Sequence, residues 1–523
     1  MPSTLPLSAL AKYEKISLLA RLSDNFLNFE AVFSDETRNC VAPREPGPGE
    51  EVSVRLRTGR SNARAARLCY NGGGNVLDMV KASSEGLFDY YEAKFAMPAE
   101  KISYYFSVSI DGAEYFYNKR GLYRDVDENY DFTLIPGFKT PDWAAGAVFY
   151  QIFADRFYNG DPSNDPLNNE YIYLGQPSRQ AAKWSEDVPV NDVCNFYGGD
   201  LRGVMDKMAY LKELGVEAIY FNPLFVSPSS HKYDIQDYDY VDPHFGQIVE
   251  DGGDTLKFEA FRNKNATKYM ARTTRKANLE ASNRLLAELI ALAHENGIRV
   301  ILDGVFNHCG AFNKWMDKEG FYQAENYPPG AYRDENSPYH DYFKWYDENW
   351  PNNDCYDAWW GHDNHPKLYY EKSRELYDYM LGIGAKWVSP PFNADGWRLD
   401  VPYDLGESPE FNHKFWRDFR RSVKSANPEA VIIAENYGDP SSWLEGDQWD
   451  SVMNYDAFME PLTWFLTGMD KHSEAFRPEM LRNAMAFEQT MRYHMSRMGG
   501  HSLLTAMNEL RTTTTPASSP ART

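Results

Sequence analysis

Arg398 and Asp400 stand two residues apart in GWRLD (396–400), and Glu435 follows in AEN (434–436). Side chains on a strand alternate between faces, so this arginine and this aspartate project to the same side. A fixed guanidinium charge beside a carboxyl favours its ionised form. A second carboxyl in reach, keeping its proton near neutral pH, would supply general acid–base chemistry beside it. An R-x-D pair on a strand also describes a buried structural ion pair, and spacing alone leaves both readings open. A second constellation is NGDPSND (159–165), where Asn159, Asp161, Asn164 and Asp165 offer four oxygen donors within seven residues. The Gly198 carbonyl and Asp200 of FYGGDL could complete a shell. Oxygen-only donors favour Ca²⁺ over transition metals. The alternative is an Asx-rich turn whose side chains satisfy its own backbone.

Strands must carry these residues. From Trp143 onward short apolar runs alternate with helical stretches: AVFYQIF (147–153), VEAIYFNPLF (216–225), IRVILDGVF (298–306), ADGWRLDV (394–401), AVIIAEN (430–436), SVMNYDAF (451–458) and HSLLTAMNEL (501–510). Amphipathic patterns such as ASNRLLAELIALAHENG lie between them and end in glycine, a helix stop. Strand and helix in alternation imply a parallel sheet. Seven candidates over more than 350 residues fit a (β/α)8 barrel better than a doubly wound sheet. Reactive residues then belong at the C-terminal strand ends. Asn307 and His308, Arg398 and Asp400, and Glu435 crowd those ends.

Residues 30–135 read differently. EVSVRLRTG (51–59), ARLCYNG (66–72), LFDYYEAKFAMP (87–98) and KISYYFSVSIDG (101–112) alternate apolar and polar residues between turn signals, the pattern of a small β-sandwich. The linker is IPGFKTPDW (135–143). The expected organisation is an extension at 1–29, a sandwich at 30–135, a catalytic barrel at 136–510 and an aberrant tail at 511–523. The 523 residues include 76 acidic and 54 basic ones, a formal charge of −22 that repels phosphate backbones and anionic lipids. Nucleic acid and membrane are therefore excluded as main partners. Five scattered cysteines form no C-x-x-C pair, and charged residues interrupt the N-terminal apolar stretch, so the chain reads as cytoplasmic with reduced thiols. Aromatics make up 15%, which buried rings or a sugar-stacking surface would explain.

DGVFNH (303–308), GWRLD and AEN resemble three ordered regions of the α-amylase superfamily, glycoside hydrolase family 13. VFYQIFADRFYNGDPSNDP, SSHKYDIQDYDYVDPHFG and WLEGDQWDSVMNYDAF resemble its neopullulanase, cyclomaltodextrinase and amylopullulanase branch, which places a sandwich before the barrel. The resemblance covers about 30–510. It implies retaining hydrolysis of α-1,4-glucosidic bonds in pullulan, cyclomaltodextrins or maltooligosaccharides, with transglycosylation, an α-1,6 or α-glucosidase specificity, or glucan binding without turnover as alternatives. Asp400 matches the family nucleophile and Glu435 the acid/base, with Arg398 keeping Asp400 ionised. Tyr233 matches the aromatic platform under the sugar and His308 a partner of its hydroxyls, while Asp303 with Asn307 supports the strand end. The six residues of the oxygen-rich set match the branch's structural calcium site, and kinship implies a homodimer through the N-terminal domain.

Three stretches depart from the pattern. Pro402-Tyr403 replaces a Lys-His pair, so more distant sugar contacts do not transfer. Residues 247–280 look like an insertion with seven basic residues, expected as a solvated loop or a cleft-edge or subunit contact. The family's N-H-D motif, with its third acid, should follow HSLLTAMNEL, but RTTTTPASSPART (511–523) stands there, with the composition of a disordered tail. Permitted codons allow that tail, read from the third base, to spell NHDHTRFLTRTN. A frameshift is the expectation, and with it an unclosed barrel that is poorly stable and nearly inactive.

Overall fold

The computed structural model describes residues 14–16, 27–187, 192–323, 327–471 and 473–510, so most of the 1–29 extension and the whole 511–523 tail lie outside the described residues. The chain divides into two compact units. One comprises Met1–Thr140, Tyr437–Asp450 and Asn454–Asn508; the other comprises Pro141–Asn436, Ser451–Met453 and Glu509–Thr523.

The first unit is built on a β-sandwich. One sheet runs β1 (Val41–Ala42), β2 (Glu51–Gly59), β6 (Phe88–Ala96), β5 (Val80–Glu85). The other runs β4 (Asn75–Asp78), β3 (Ala63–Tyr70), β7 (Ile102–Ile110), β8 (Ala113–Asn118), β9 (Gly121–Tyr123), with β10 (Phe132–Leu134) also on β7. Period-two alternation does the sorting: Val52, Val54 and Leu56 of β2 share one buried core with Leu68, Tyr104, Phe106 and Val108 of the opposite sheet. Residues 437–450 and 454–508 also fall within this compact unit. Buried main-chain and side-chain contacts hold them there. Lys119 Nζ donates to the Met498 carbonyl at 3.0 Å and pairs with Glu36 at 3.1 Å, and His501 Nε2 lies 3.0 Å from the Arg44 carbonyl.

The second unit carries six parallel strands in sequential order: β11 (Phe149–Ile152), β12 (Ala218–Phe221), β13 (Arg299–Gly304), β14 (Gly396–Leu399), β15 (Val431–Ala434) and β16 (Ser451–Val452). They form part of the wall of a (β/α)8 barrel, incomplete among the described residues. Every residue of β12, β14 and β15 is buried, as expected where both faces of a parallel sheet are covered. Helices α1 (Lys276–Glu295), α2 (Arg374–Trp387) and α3 (Pro409–Ala426) fill the crossovers into β13, β14 and β15. Ser373 and Ser408 cap α2 and α3, their side chains accepting from Leu376 N and Phe411 N.

Two candidates depart from expectation. Strand β16 stops at Val452, and Tyr455–Met459 is a π-helix. Residues 501–505 belong to a helix, Gly500–Thr505, with no strand in 506–510. A short apolar run is equally compatible with a buried strand or a buried helix, and only its packing decides. Among the described residues, no helix is long and apolar enough to cross a membrane.

Candidate active site

Parallel register brings the acids together. Asp303 of β13 pairs directly with Arg398 of β14, and Leu399 with Ala434 of β15. The ladder continues past the strand ends, with Asp400 N donating to the Gly304 carbonyl at 3.0 Å and Glu435 N to the Leu399 carbonyl at 2.9 Å. Asp400 and Glu435 are thus one step beyond adjacent strands, which lie about 4.8 Å apart. Such close strand approach is possible because position 396 is glycine: at φ 155°, a Cβ there would meet the Val431 carbonyl oxygen at 2.2 Å.

One guanidinium joins three carboxyl groups. Arg398, fully buried, donates through Nη1 to Asp303 Oδ1 at 3.1 Å and to Asp400 Oδ1 at 3.0 Å. Its Nη2 forms an ion pair with Glu435 Oε2 at 2.9 Å, and its Nε lies 3.1 Å from the Met453 sulfur. Asp303 is also held by the Tyr220 hydroxyl at 2.5 Å and the Tyr233 hydroxyl at 2.9 Å. That places Tyr233 within the cluster, with Asp303 as the shared partner of Arg398 and both hydroxyls. Val401 sits in the left-handed region at φ 35°, costly for a β-branched residue, and its N–H donates to Glu435 Oε2 at 3.1 Å.

The Arg398 charge is shared among three carboxyls. Arg398 does not serve Asp400 alone. Burial, then repulsion from Glu435, pushes the Asp400 carboxyl well above its ordinary range against the pull of Arg398. Burial likewise raises Asp303 despite Arg398 and its two tyrosine partners. Burial thus holds the Asp303 and Asp400 carboxyls above their ordinary range, while the shared guanidinium favours their ionised forms.

His308 is buried, and its ring stacks on Trp359 at 5.1 Å with Trp360 stacked beyond at 5.4 Å. Burial first, and then the neighbouring His365, hold this imidazole well below the usual histidine range. Its Nε2 is buried without a hydrogen-bond partner among the described residues. A neutral imidazole with a vacant ring nitrogen suits a ligand hydroxyl. Tyr220, Met453 and the Trp359–Trp360 stack were not singled out from sequence. Tyr220 and Asn222 share one side of an apolar run by alternation, which was the available signal.

Asn159, Asp165 and Gly198 of the oxygen-rich set lie together. Asn159 Nδ2 donates to Asp165 Oδ1 at 2.8 Å, and Gln180 Nε2 to Asp165 Oδ2 at 2.6 Å. Asn159 Oδ1 and Asn164 Oδ1 are buried with no partner among the described residues. Gly198, at φ 79°, leaves a cradle in which a Cβ would meet Asp165 Oδ1 at 2.4 Å. Burial pushes Asp165 up to about 6, with Asp200 adding to the rise and the Asn159 hydrogen bond opposing it. Orphaned amide oxygens beside carboxyls that resist ionisation fit a hard cation. Asp161 and Asp200 also have local work. Asp161 Oδ1 accepts from Ser163 N at 3.0 Å, and Asp200 caps Leu201–Asp206 by accepting from Gly203 N at 2.6 Å.

Residues 247–280 are not a solvated loop throughout. They include the helix Thr267–Thr274 and the start of α1. Arg272 is buried, donating to Glu170 Oε2 at 3.2 Å and to the Asp165 carbonyl at 2.9 Å, next to the oxygen-rich loop.

Comparison with known proteins places this geometry. The family described as "Alpha amylase, catalytic domain" matches residues 151–254 and 281–508, and "Alpha amylase, N-terminal ig-like domain" matches 46–136. The chain belongs to the α-amylase family. The unmatched 255–280 falls within the stretch read as an insertion. Cyclomaltodextrinase of Thermoanaerobacter pseudethanolicus is 34% identical over 80% of this chain and 62% of the relative. Neopullulanase 2 of Thermoactinomyces vulgaris is 36% identical over 78% of this chain and 60% of the relative. The chain thus spans about three fifths of the length of these α-amylase-family relatives. Among solved structures, the type III pullulan hydrolase from Thermococcus kodakarensis is similar at a TM-score of 0.55 and 25% identity, covering 89% of this chain and 70% of that one.

Proposed function

We propose that this α-amylase-family chain is a retaining glycoside hydrolase acting on α-1,4-glucosidic bonds of pullulan, cyclomaltodextrins or maltooligosaccharides. The observation that carries the reading is a single buried guanidinium bridging Asp400 and Glu435. In retaining chemistry two carboxyls stand close together, one attacking the anomeric carbon while the other protonates the leaving oxygen. Asp400 is the nucleophile and Glu435 the acid, which then deprotonates water to release the covalent glycosyl intermediate. Arg398 holds both carboxyls in place, Asp303 anchors Arg398 and Tyr233, and the neutral His308 meets a sugar hydroxyl. Names of relatives such as cyclomaltodextrinase and neopullulanase support the substrate class. Asn159, Asp161, Asn164, Asp165, Asp200 and the Gly198 carbonyl would hold Ca²⁺, which supplies charge neutralisation and pins the loop, away from bond cleavage.

The test is product analysis by NMR on pullulan, cyclomaltodextrin and maltooligosaccharides. Initial α-anomers are expected, with panose from pullulan marking α-1,4 cleavage. Maltotriose would mark α-1,6 cleavage. Saturable cyclodextrin binding with no hydrolysis would overturn the catalytic reading.

A further inference from the structure

Val401 holds a conformation that its own sequence opposes. Its φ of 35° and ψ of 47° lie in the left-handed region, which a β-branched side chain disfavours. Pro402 follows it, and a residue before proline prefers an extended backbone. Strain of this kind persists only where surrounding contacts over-determine it. Those contacts come from α3. Asn412, buried in the first turn of that helix, donates through Nδ2 to the Pro402 and Leu405 carbonyls at 2.8 Å each, with the Tyr403 carbonyl at 3.3 Å. Trp416, one turn further along, donates through Nε1 to the Pro402 carbonyl at 2.9 Å. The short turn Pro402–Asp404 also closes on Val401, with Asp404 N donating to its carbonyl at 3.1 Å.

The strained backbone meets the site at one atom. The Val401 N–H donates to Glu435 Oε2 at 3.1 Å, the same oxygen that pairs with Arg398 Nη2 at 2.9 Å. A cation and an N–H donor at Oε2 favour negative charge there, so the transferable proton belongs on Oε1. We infer that Asn412 is a positioning residue for acid–base catalysis, acting through the Pro402–Leu405 turn to hold the Val401 N–H on Glu435. The inference rests on the acid role proposed for Glu435. A misplaced acid costs most where the leaving group needs its proton, whereas a loosened helix start slows every substrate alike.

The experiment compares the wild type with Asn412→Ala, Asn412→Leu, Glu435→Gln and Ser408→Ala. In both Asn412 variants kcat on maltooligosaccharides is expected to fall by about 10- to 100-fold, with a smaller loss in the bond-breaking burst of an aryl glycoside. Ser408→Ala is the control. It removes the cap that accepts from Phe411 N, so it should lower Tm through α3 and leave the ratio of the two rates in place. Equal losses on both substrates in the Asn412 variants, where Glu435→Gln discriminates between them, would overturn the inference. A main-chain ester at residue 401 replaces the N–H by oxygen and keeps the valine side chain, so it tests the contact even if the Asn412 variants do not fold. It should discriminate between the substrates as Glu435→Gln does, and equal losses would again overturn the inference. Hydrogen exchange over 401–405 reads the clamp without turnover, and faster exchange is expected in the Asn412 variants. Protection retained at the wild-type level would overturn the role of Asn412. Absence of discrimination in Glu435→Gln itself would instead count against the acid reading, while exchange still decides whether Asn412 holds the turn.

Discussion

Arg398, Asp400 and Glu435 show how much three side chains can carry. Two residues of spacing on β14 put Arg398 and Asp400 on one side, as period-two alternation requires, and the observed 3.0 Å contact follows. The ionisation state does not follow from spacing, because it depends on how many carboxyls share the cation. The two acids should fail differently on substitution. Glu435→Gln should lower kcat on maltooligosaccharides by about 10²–10⁴-fold, the usual worth of a general acid. An aryl glycoside, whose leaving group needs little protonation, should lose less in the bond-breaking step, visible as a pre-steady-state burst. Asp400→Asn should abolish turnover of both substrates, since each needs the nucleophile. Equal losses for the two substrates in Glu435→Gln would remove Glu435 from the acid role.

Elements decide where loops can hold ligands. The NGDPSND loop is fixed by Asp200 at a helix start and by the buried Arg272 of Thr267–Thr274. Sequence spacing found the loop's oxygen donors, but not Arg272, because a basic run looks like a solvated face until its partner Glu170 is located. If the loop binds calcium, EDTA should lower Tm and added Ca²⁺ should restore it, through preferential binding to the folded state. Gly198→Ala should lower Tm and reduce the calcium-dependent gap, since its Cβ would occupy the space beside Asp165 Oδ1 and its φ of 79° disfavours alanine. Calorimetry with and without metal checks both effects. An unchanged gap would leave the loop as an Asx turn.

At the scale of the whole molecule, a formal charge of −22 sets long-range self-repulsion. Raising NaCl from about 10 mM to 150 mM shortens the screening length to about 8 Å and should raise Tm by a few degrees, provided calcium is held constant. A salt-independent Tm would show that local ion pairs offset the excess. The sequence by itself determined four of the sandwich strands, six of the seven barrel-strand candidates and the order of the catalytic motifs, because alternation, glycine stops and residue spacing are local properties. Tertiary structure alone decided that 501–505 is helical and that the Tyr220 hydroxyl meets Asp303 beside Arg398. The physical reason is common to both. Each depends on what a residue is buried against, and burial against a partner distant in sequence leaves no periodic trace in the chain.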